Sequence, residues 1–169
     1  MKKTLLTVSI GTVLFCACKK DNNNSLNSTD QNFMTQVAIG NNAEIQAGQL
    51  AATKSSNSAV QAFGQMMVME HGQAQTDLKT LGSKVGRTIS DTVDATHKQL
   101  MTTLSNLSGD NFDTAYINSQ IRDHQNTLNV FQTEINSGNQ SDVKAYASKY
   151  LSHIQEHLRM ADSVSLLIH

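Results

Sequence analysis

The chain of 169 residues contains no proline and no tryptophan, only two cysteines, and just 5% aromatic residues. At a usual proline frequency of about 5%, roughly eight would be expected. Their absence suits long uninterrupted helices, because proline removes a helical hydrogen bond and clashes with the preceding turn. An excess of either charge is lacking too: 13 Lys and Arg stand against 14 Asp and Glu. No basic patch is interleaved with aromatic residues, so nucleic acid is not an expected partner. After residue 18 no apolar run approaches the roughly 20 residues a membrane-spanning helix needs. Nucleophile triads, phosphate-binding loops and dinucleotide fingerprints are missing as well, so no motif of that kind points to an enzyme.

What is present begins with an address. Lys2 and Lys3 form a positive start, and Thr4 to Phe15 form an apolar segment of signal-peptide length. The segment ends in Phe15-Cys16-Ala17-Cys18, which resembles the lipobox of bacterial lipoproteins. Residues 1–17 are therefore expected to be a lipoprotein signal peptide and Cys18 the lipidated first residue of the mature chain. Residues 18–29 make a polar tether, Lys19-Lys20-Asp21-Asn22-Asn23-Asn24-Ser25 containing no core-forming residue. Lys19 departs from the aspartate that holds many lipoproteins in the inner membrane. The expected location is thus the outer membrane, on its periplasmic face or at the cell surface, with the lipid anchor as the membrane contact. The one cysteine surviving processing carries lipid, so no disulfide is expected. Loss of Lys2 and Lys3 leaves 11 basic residues against 14 acids, a formal charge of −3.

Residues 30–169 are expected to form a single all-α domain. Apolar residues recur there at three- and four-residue steps, the pattern of helices with one buried face. The first helix is predicted over 31–54 with Asp30 as its cap, and Phe33, Val37, Ile45 and Ala52 facing inward. Ser55 to Ser58 form a turn, and a second helix runs to about Lys84 on Val60, Met67, Ala74, Leu78 and Leu81. A looser stretch, 86–94, leads to a short helix at 95–107 that carries the crossover. A long helix from Gly109 follows, on Ile117, Ile121, Leu128, Phe131 and Ile135, then a turn at 137–141. The last helix, 142–167, presents Val143, Tyr146, Tyr150, Met160 and Val164. Two hairpins and one crossover make an antiparallel four-helix bundle with a short crossover helix. Gly40 and Gly48 in the first helix mirror Gly72 and Gly64 in the second about residue 56. Glycine inside a helix is unfavourable by about 1 kcal/mol relative to alanine, so paired glycines predict close helix approach.

Four of the six histidines fall on predicted inner faces: His71, His124, His153 and His157. Glu44 occupies an otherwise apolar position between Val37 and Ala51. Counting outward from the two turns sets all five residues near the bundle midplane, where such folds build metal sites. Imidazole with carboxylate suits zinc, copper, iron or manganese. Glu44, His71, His124 and His157 are therefore the candidate ligands, with His153 in reserve. Three histidines directly follow an acid, in Glu70-His71, Asp123-His124 and Glu156-His157. Each acid is placed to orient a histidine on a neighbouring helix rather than its own. Other readings stay open. The histidines would form a buried hydrogen-bond network in a structural lipoprotein, titrating near pH 6.5. His153-Ile154-Gln155-Glu156-His157 fits the inverted zinc-peptidase motif H-x-x-E-H. Met67 and Met160 beside the histidines would favour copper.

Ala43-Glu44-Ile45 with Gln49-Leu50-Ala51, Met67 with Glu70-His71, Asn111-Phe112-Asp113 with Tyr116, Asp123-His124 with Phe131, and Tyr150 with His157-Leu158 form an ordered set. In this set the chain resembles the exported bacterial family known as domain of unknown function 4142, over about residues 31–165. The resemblance implies export and a ferritin-like bundle, but no activity. A carboxylate-bridged di-iron site is not implied. Such sites use Glu-x-x-His pairs, whereas Val68, Ile121 and Ile154 stand three residues before His71, His124 and His157.

Overall fold

The computed structural model describes residues 24–168, so the expected signal peptide and lipidated Cys18 lie outside the described residues. Five helices follow one another: α1 (Ser28–Lys54), α2 (Ser58–Val85), α3 (Ala95–Asn106), α4 (Gly109–Ser137) and α5 (Ser141–Ser165). There is no strand among the described residues. The chain folds as an all-α, ferritin-like four-helix bundle in which α3 is the short crossover helix.

Every helix except α4 starts where a side chain satisfies its free N–H groups. The cap of α1 is Asn27 rather than the expected Asp30. Asn27 Oδ1 accepts from Asp30 N at 2.9 Å while Asp30 Oδ2 accepts from Asn27 N at 2.6 Å, a reciprocal capping box. The second Asp30 oxygen is thereby freed to accept from Asn139 N at 3.0 Å and Gln140 N at 3.1 Å in the α4–α5 turn. Asn57, Asp94 and Gln140 cap α2, α3 and α5. Gly86, at φ +75°, ends α2 in the left-handed conformation that favours glycine.

These ties fix the topology. The α4–α5 turn sits against the start of α1, and Lys84 at the end of α2 pairs there with Asp142 at 2.8 Å. At the opposite end Lys54 bonds the Ser105 carbonyl and lies over the Phe112 ring. The segment from 86 to 108 thus runs the length of the bundle. The α1–α2 and α4–α5 hairpins lie side by side, α1 against α4 and α2 against α5.

The core is divided. One apolar cluster joins Phe33, Val37, Leu78, Phe131, Tyr146 and Ile154. The other joins Ala51, Phe63, Met67, Phe112, Ile117 and Val164. Between them every long helix turns polar on its buried face, at Asn41 and Glu44, His71 and Gln75, Gln120 and His124, and His157. A polar layer across an otherwise apolar core is unfavourable unless its groups have partners.

Several expected inner-face positions are only half-buried: Ile45, Ala52, Ile121, Leu128, Ile135 and Met160. The true stripes follow 3.6 residues per turn, so a seven-residue repeat drifts off them. Only one glycine pair behaves as predicted. A Cβ on Gly48 would lie 2.7 Å from the Gly64 carbonyl oxygen, and the reverse distance is the same. Gly40 and Gly72 have open space around the position of an added Cβ. Eight residues from the turn the helix backbones touch; twice as far out, these two positions face away from any such contact.

Candidate metal centre

Three of the predicted histidines meet in the polar layer. His71 comes from the middle of α2, His124 from α4 and His157 from α5, and each is at most 5% exposed. One ring nitrogen of each lies within 4.8 Å of the others. Their ring centroids are 5.1 to 5.7 Å apart. Burial pushes all three below the usual imidazole range: His71 well below, His124 more modestly, and His157 to about 4. The rings are therefore neutral at neutral pH, each with one N–H and one lone pair.

The hydrogen bonds around the rings decide which nitrogen is which. His124 Nδ1 lies 2.9 Å from the Gln120 carbonyl oxygen, which only accepts, so Nδ1 carries the proton. His157 Nε2 lies 3.0 Å from the Glu70 carboxylate and donates to it for the same reason. His71 Nδ1 lies 3.0 Å from Asn41 Oδ1. That amide is oriented from outside. Gln75 Nε2 donates to the Ser90 carbonyl at 3.4 Å and to Asp91 at 3.1 Å, turning Gln75 Oε1 toward Asn41 Nδ2 at 3.3 Å. The crossover segment thus orients His71 through two amides. The three nitrogens left over, His71 Nε2, His124 Nε2 and His157 Nδ1, are the lone-pair atoms that converge.

Convergent lone pairs repel unless a cation or a hydrogen-bond donor lies between them. His71 Nε2 has no hydrogen-bond partner. His124 Nε2 and His157 Nδ1 face each other at 3.3 Å. Two nitrogens bound tetrahedrally to one zinc, each at about 2.0–2.1 Å, would also lie about 3.3 Å apart. The donor set fits a zinc- or copper-like ion. Its three members are imidazoles, and each is oriented by a hydrogen bond from its other nitrogen, as metal-bound histidines are.

The other candidates are placed differently. His153 lies on the exposed face of α5, because Ile154 occupies the buried position. Its Nδ1 shares Glu70 Oε2 with His157, at 2.9 Å. Hydrogen bonds from these two histidines outweigh burial and hold the Glu70 carboxyl low. This is the orientation of a histidine by an acid on a neighbouring helix that the Glu-His pairs predict. The H-x-x-E-H reading has no site here. Its two histidines turn their rings to Glu70, and Glu156 pairs on the surface with Arg159. Met67 lies in the second apolar cluster with Met160 packed against it, filling core volume.

Glu44 is buried but does not belong to the three-histidine group. Burial raises its carboxyl to about 7, against an opposing hydrogen bond from Gln120. Its Oε2 is unpartnered, as are the buried Gln120 Oε1 and Tyr116 hydroxyl. A cavity of about 300 Å³ between α1 and α4 is lined by Glu44, His71 and His124. Asn41 is missing from the predicted ligand and support residues, although one sequence signal marks it. The mirror about residue 56 that pairs Gly48 with Gly64 also pairs Asn41 with His71.

Comparison with known proteins fits this architecture. The sequence profile described as domain of unknown function, DUF4142, matches residues 17–164. The chain belongs to this family. As a DUF4142 protein it has no match among curated proteins. Its fold is similar to a crystal structure of a DUF305 fragment from Deinococcus radiodurans, with TM-score 0.69 and 12% identity over 83% of this chain and 97% of that one. It is also similar to a conserved hypothetical protein, rv2844, from Mycobacterium tuberculosis, with TM-score 0.64 and 14% identity over 81% and 97%. At these identities the likeness concerns the fold alone.

Proposed function

We propose that this DUF4142 protein is a lipid-anchored envelope protein that holds one transition-metal ion between His71, His124 and His157. Metal handling or protection in the envelope would be its role. The observation that carries the metal assignment is the convergence of three lone-pair nitrogens whose tautomers are all fixed from outside. Among the four metals the sequence admits, an all-imidazole set favours zinc or copper over manganese, which suits carboxylate and water. A hydrogen-bond network is the competing arrangement. It would need one proton between His124 Nε2 and His157 Nδ1, giving a buried imidazolium where burial disfavours that charge. Lipid attachment at Cys18 is supported by the lipobox-like Phe15-Cys16-Ala17-Cys18 and the polar tether after it.

Elemental analysis of the purified protein, beside a His71→Ala/His157→Ala double variant, tests the metal. Near-stoichiometric zinc or copper in the wild type alone is expected; a folded wild type that stays empty after incubation with either ion refutes it. The anchor is tested by membrane fractionation of cells carrying Cys18→Ser. The variant is expected to leave the membrane fraction, and unchanged partitioning refutes lipidation at that residue.

A further inference from the structure

Two faces of the bundle lead toward the three histidines, and they differ. On the α2–α5 face, the space beside His71 and His157 is only about 10 Å³. Glu70 and His153 lie across it, joined by their hydrogen bond. On the α1–α4 face lies the cavity of about 300 Å³, beneath the start of α3. His71 and His124 line its inner part. Its lining holds three carboxyl groups, Glu44, Asp94 and Asp123, and neither lysine nor arginine.

Two atoms point to a ligand there. Glu44 Oε2 and His71 Nε2 belong to side chains more than nine-tenths buried, line this cavity, and have no hydrogen-bond partner. One is a carboxyl oxygen and the other an imidazole lone pair, a combination that accepts a cation and offers an anion nothing. Of the two outer acids, Asp94 pairs with His97 at 2.7 Å and Asp123 with its neighbour Arg122 at 3.2 Å.

We propose that this cavity is the passage by which a hydrated divalent metal ion reaches the histidines, with Glu44 as the group that receives it inside. The inference rests on the three-histidine metal site. Water leaves the ion stepwise, to be replaced first by the Glu44 carboxyl oxygen and then by the imidazoles.

Gly40 supplies the test. It lines the passage, and a Cβ added there meets nothing within 4 Å. Larger side chains can therefore fill the passage without strain in the helix. Gly72 is equally open but lies outside the passage, so it serves as the control. Cobalt(II), whose visible bands report imidazole coordination, is mixed rapidly with wild type, Gly40→Ala, Gly40→Leu, Gly72→Leu, Glu44→Gln and His153→Leu. The expected association rate falls with side-chain size at Gly40, by roughly tenfold or more for leucine, as for binding that must wait for a conformational change. The final spectrum and 1:1 stoichiometry stay unchanged. Glu44→Gln is also slower, while Gly72→Leu and His153→Leu keep the wild-type rate. Equal rates across the Gly40 series, or slowing or acceleration confined to His153→Leu, would overturn the passage while leaving the metal site intact. A wild type that takes up no cobalt at all overturns both.

Discussion

At the scale of single residues, four glycines that look equivalent in the sequence are not. Gly48 and Gly64 each sit 2.7 Å from the other's carbonyl oxygen, measured from the position of an added Cβ. Alanine at either must push two backbones apart, so each substitution is expected to destabilise by about 1–3 kcal/mol. Gly40→Ala and Gly72→Ala meet open space and should gain up to about 1 kcal/mol from helix propensity. Chemical denaturation of the four variants checks this; destabilisation by all four would mean that the splitting is wrong. Asn41 carries a second expectation at this scale. Asn41→Leu removes the acceptor that orients His71 and should weaken metal binding roughly 10–100-fold, with secondary structure retained. Competition with a chromophoric chelator measures it, and unchanged affinity would remove Asn41 from the site. His71, His124 and His157 were legible because each lies on an apolar stripe. His153 was misplaced because the α5 stripe steps from Tyr150 to Ile154 and then to His157, leaving residue 153 one position off the buried face.

At the scale of elements, the start of α1 is held to the α4–α5 turn by a pair of buried acids. Asp30 accepts from the backbone of Asn27, Asn139 and Gln140. Glu134 lies against it, its protonated carboxyl donating to the Asp30 carboxylate. Burial first, and then the neighbouring Asp30, raise Glu134 to about 8, against the pull of Lys144. Gly138 allows this packing, since an added Cβ there would fall 2.1 Å from Glu134 Oε1. In the unfolded chain Glu134 titrates near its ordinary value of 4.5. Between that value and 8 the folded state keeps a proton that the unfolded state has lost. Its contribution is therefore complete below pH 4.5 and fades as the pH rises through 8. Glu134→Gln should remove this dependence and make the protein more stable than wild type at pH 8.5 by about 1–3 kcal/mol. Urea unfolding of both proteins at pH 5 and 8.5 tests this; an equal difference at the two values would contradict it. The helices themselves were readable from periodicity to within a few residues. The acid pair was not, because it joins positions 104 residues apart whose proximity only the closed bundle creates.

At the scale of the whole molecule, a polar layer separates two apolar clusters, and that division links fold to proposed function. The sequence carried the layer's histidines and Glu44, and counting from the first turn already sets Glu44 three residues from the level of His71. Asn41 is the α1 residue level with His71, and Glu44, three residues further along the helix, lines the cavity instead. Replacing His124 with leucine leaves its former backbone acceptor within the helix and removes one of the facing lone pairs. The metal-free His124→Leu protein should consequently melt about 2–4 °C above metal-free wild type, a gain of roughly 1 kcal/mol. Only the wild type should be stabilised further by zinc. Calorimetry with and without a chelator tests both statements, and a lower metal-free melting point for the variant would contradict the first. The central claim is tested most directly by X-ray absorption at the zinc edge of the zinc-loaded chain from Lys19 onward. Three imidazole nitrogens at about 2.0–2.1 Å are expected, completed by one oxygen. A carboxylate-dominated shell, or fewer than three imidazoles, would contradict the account.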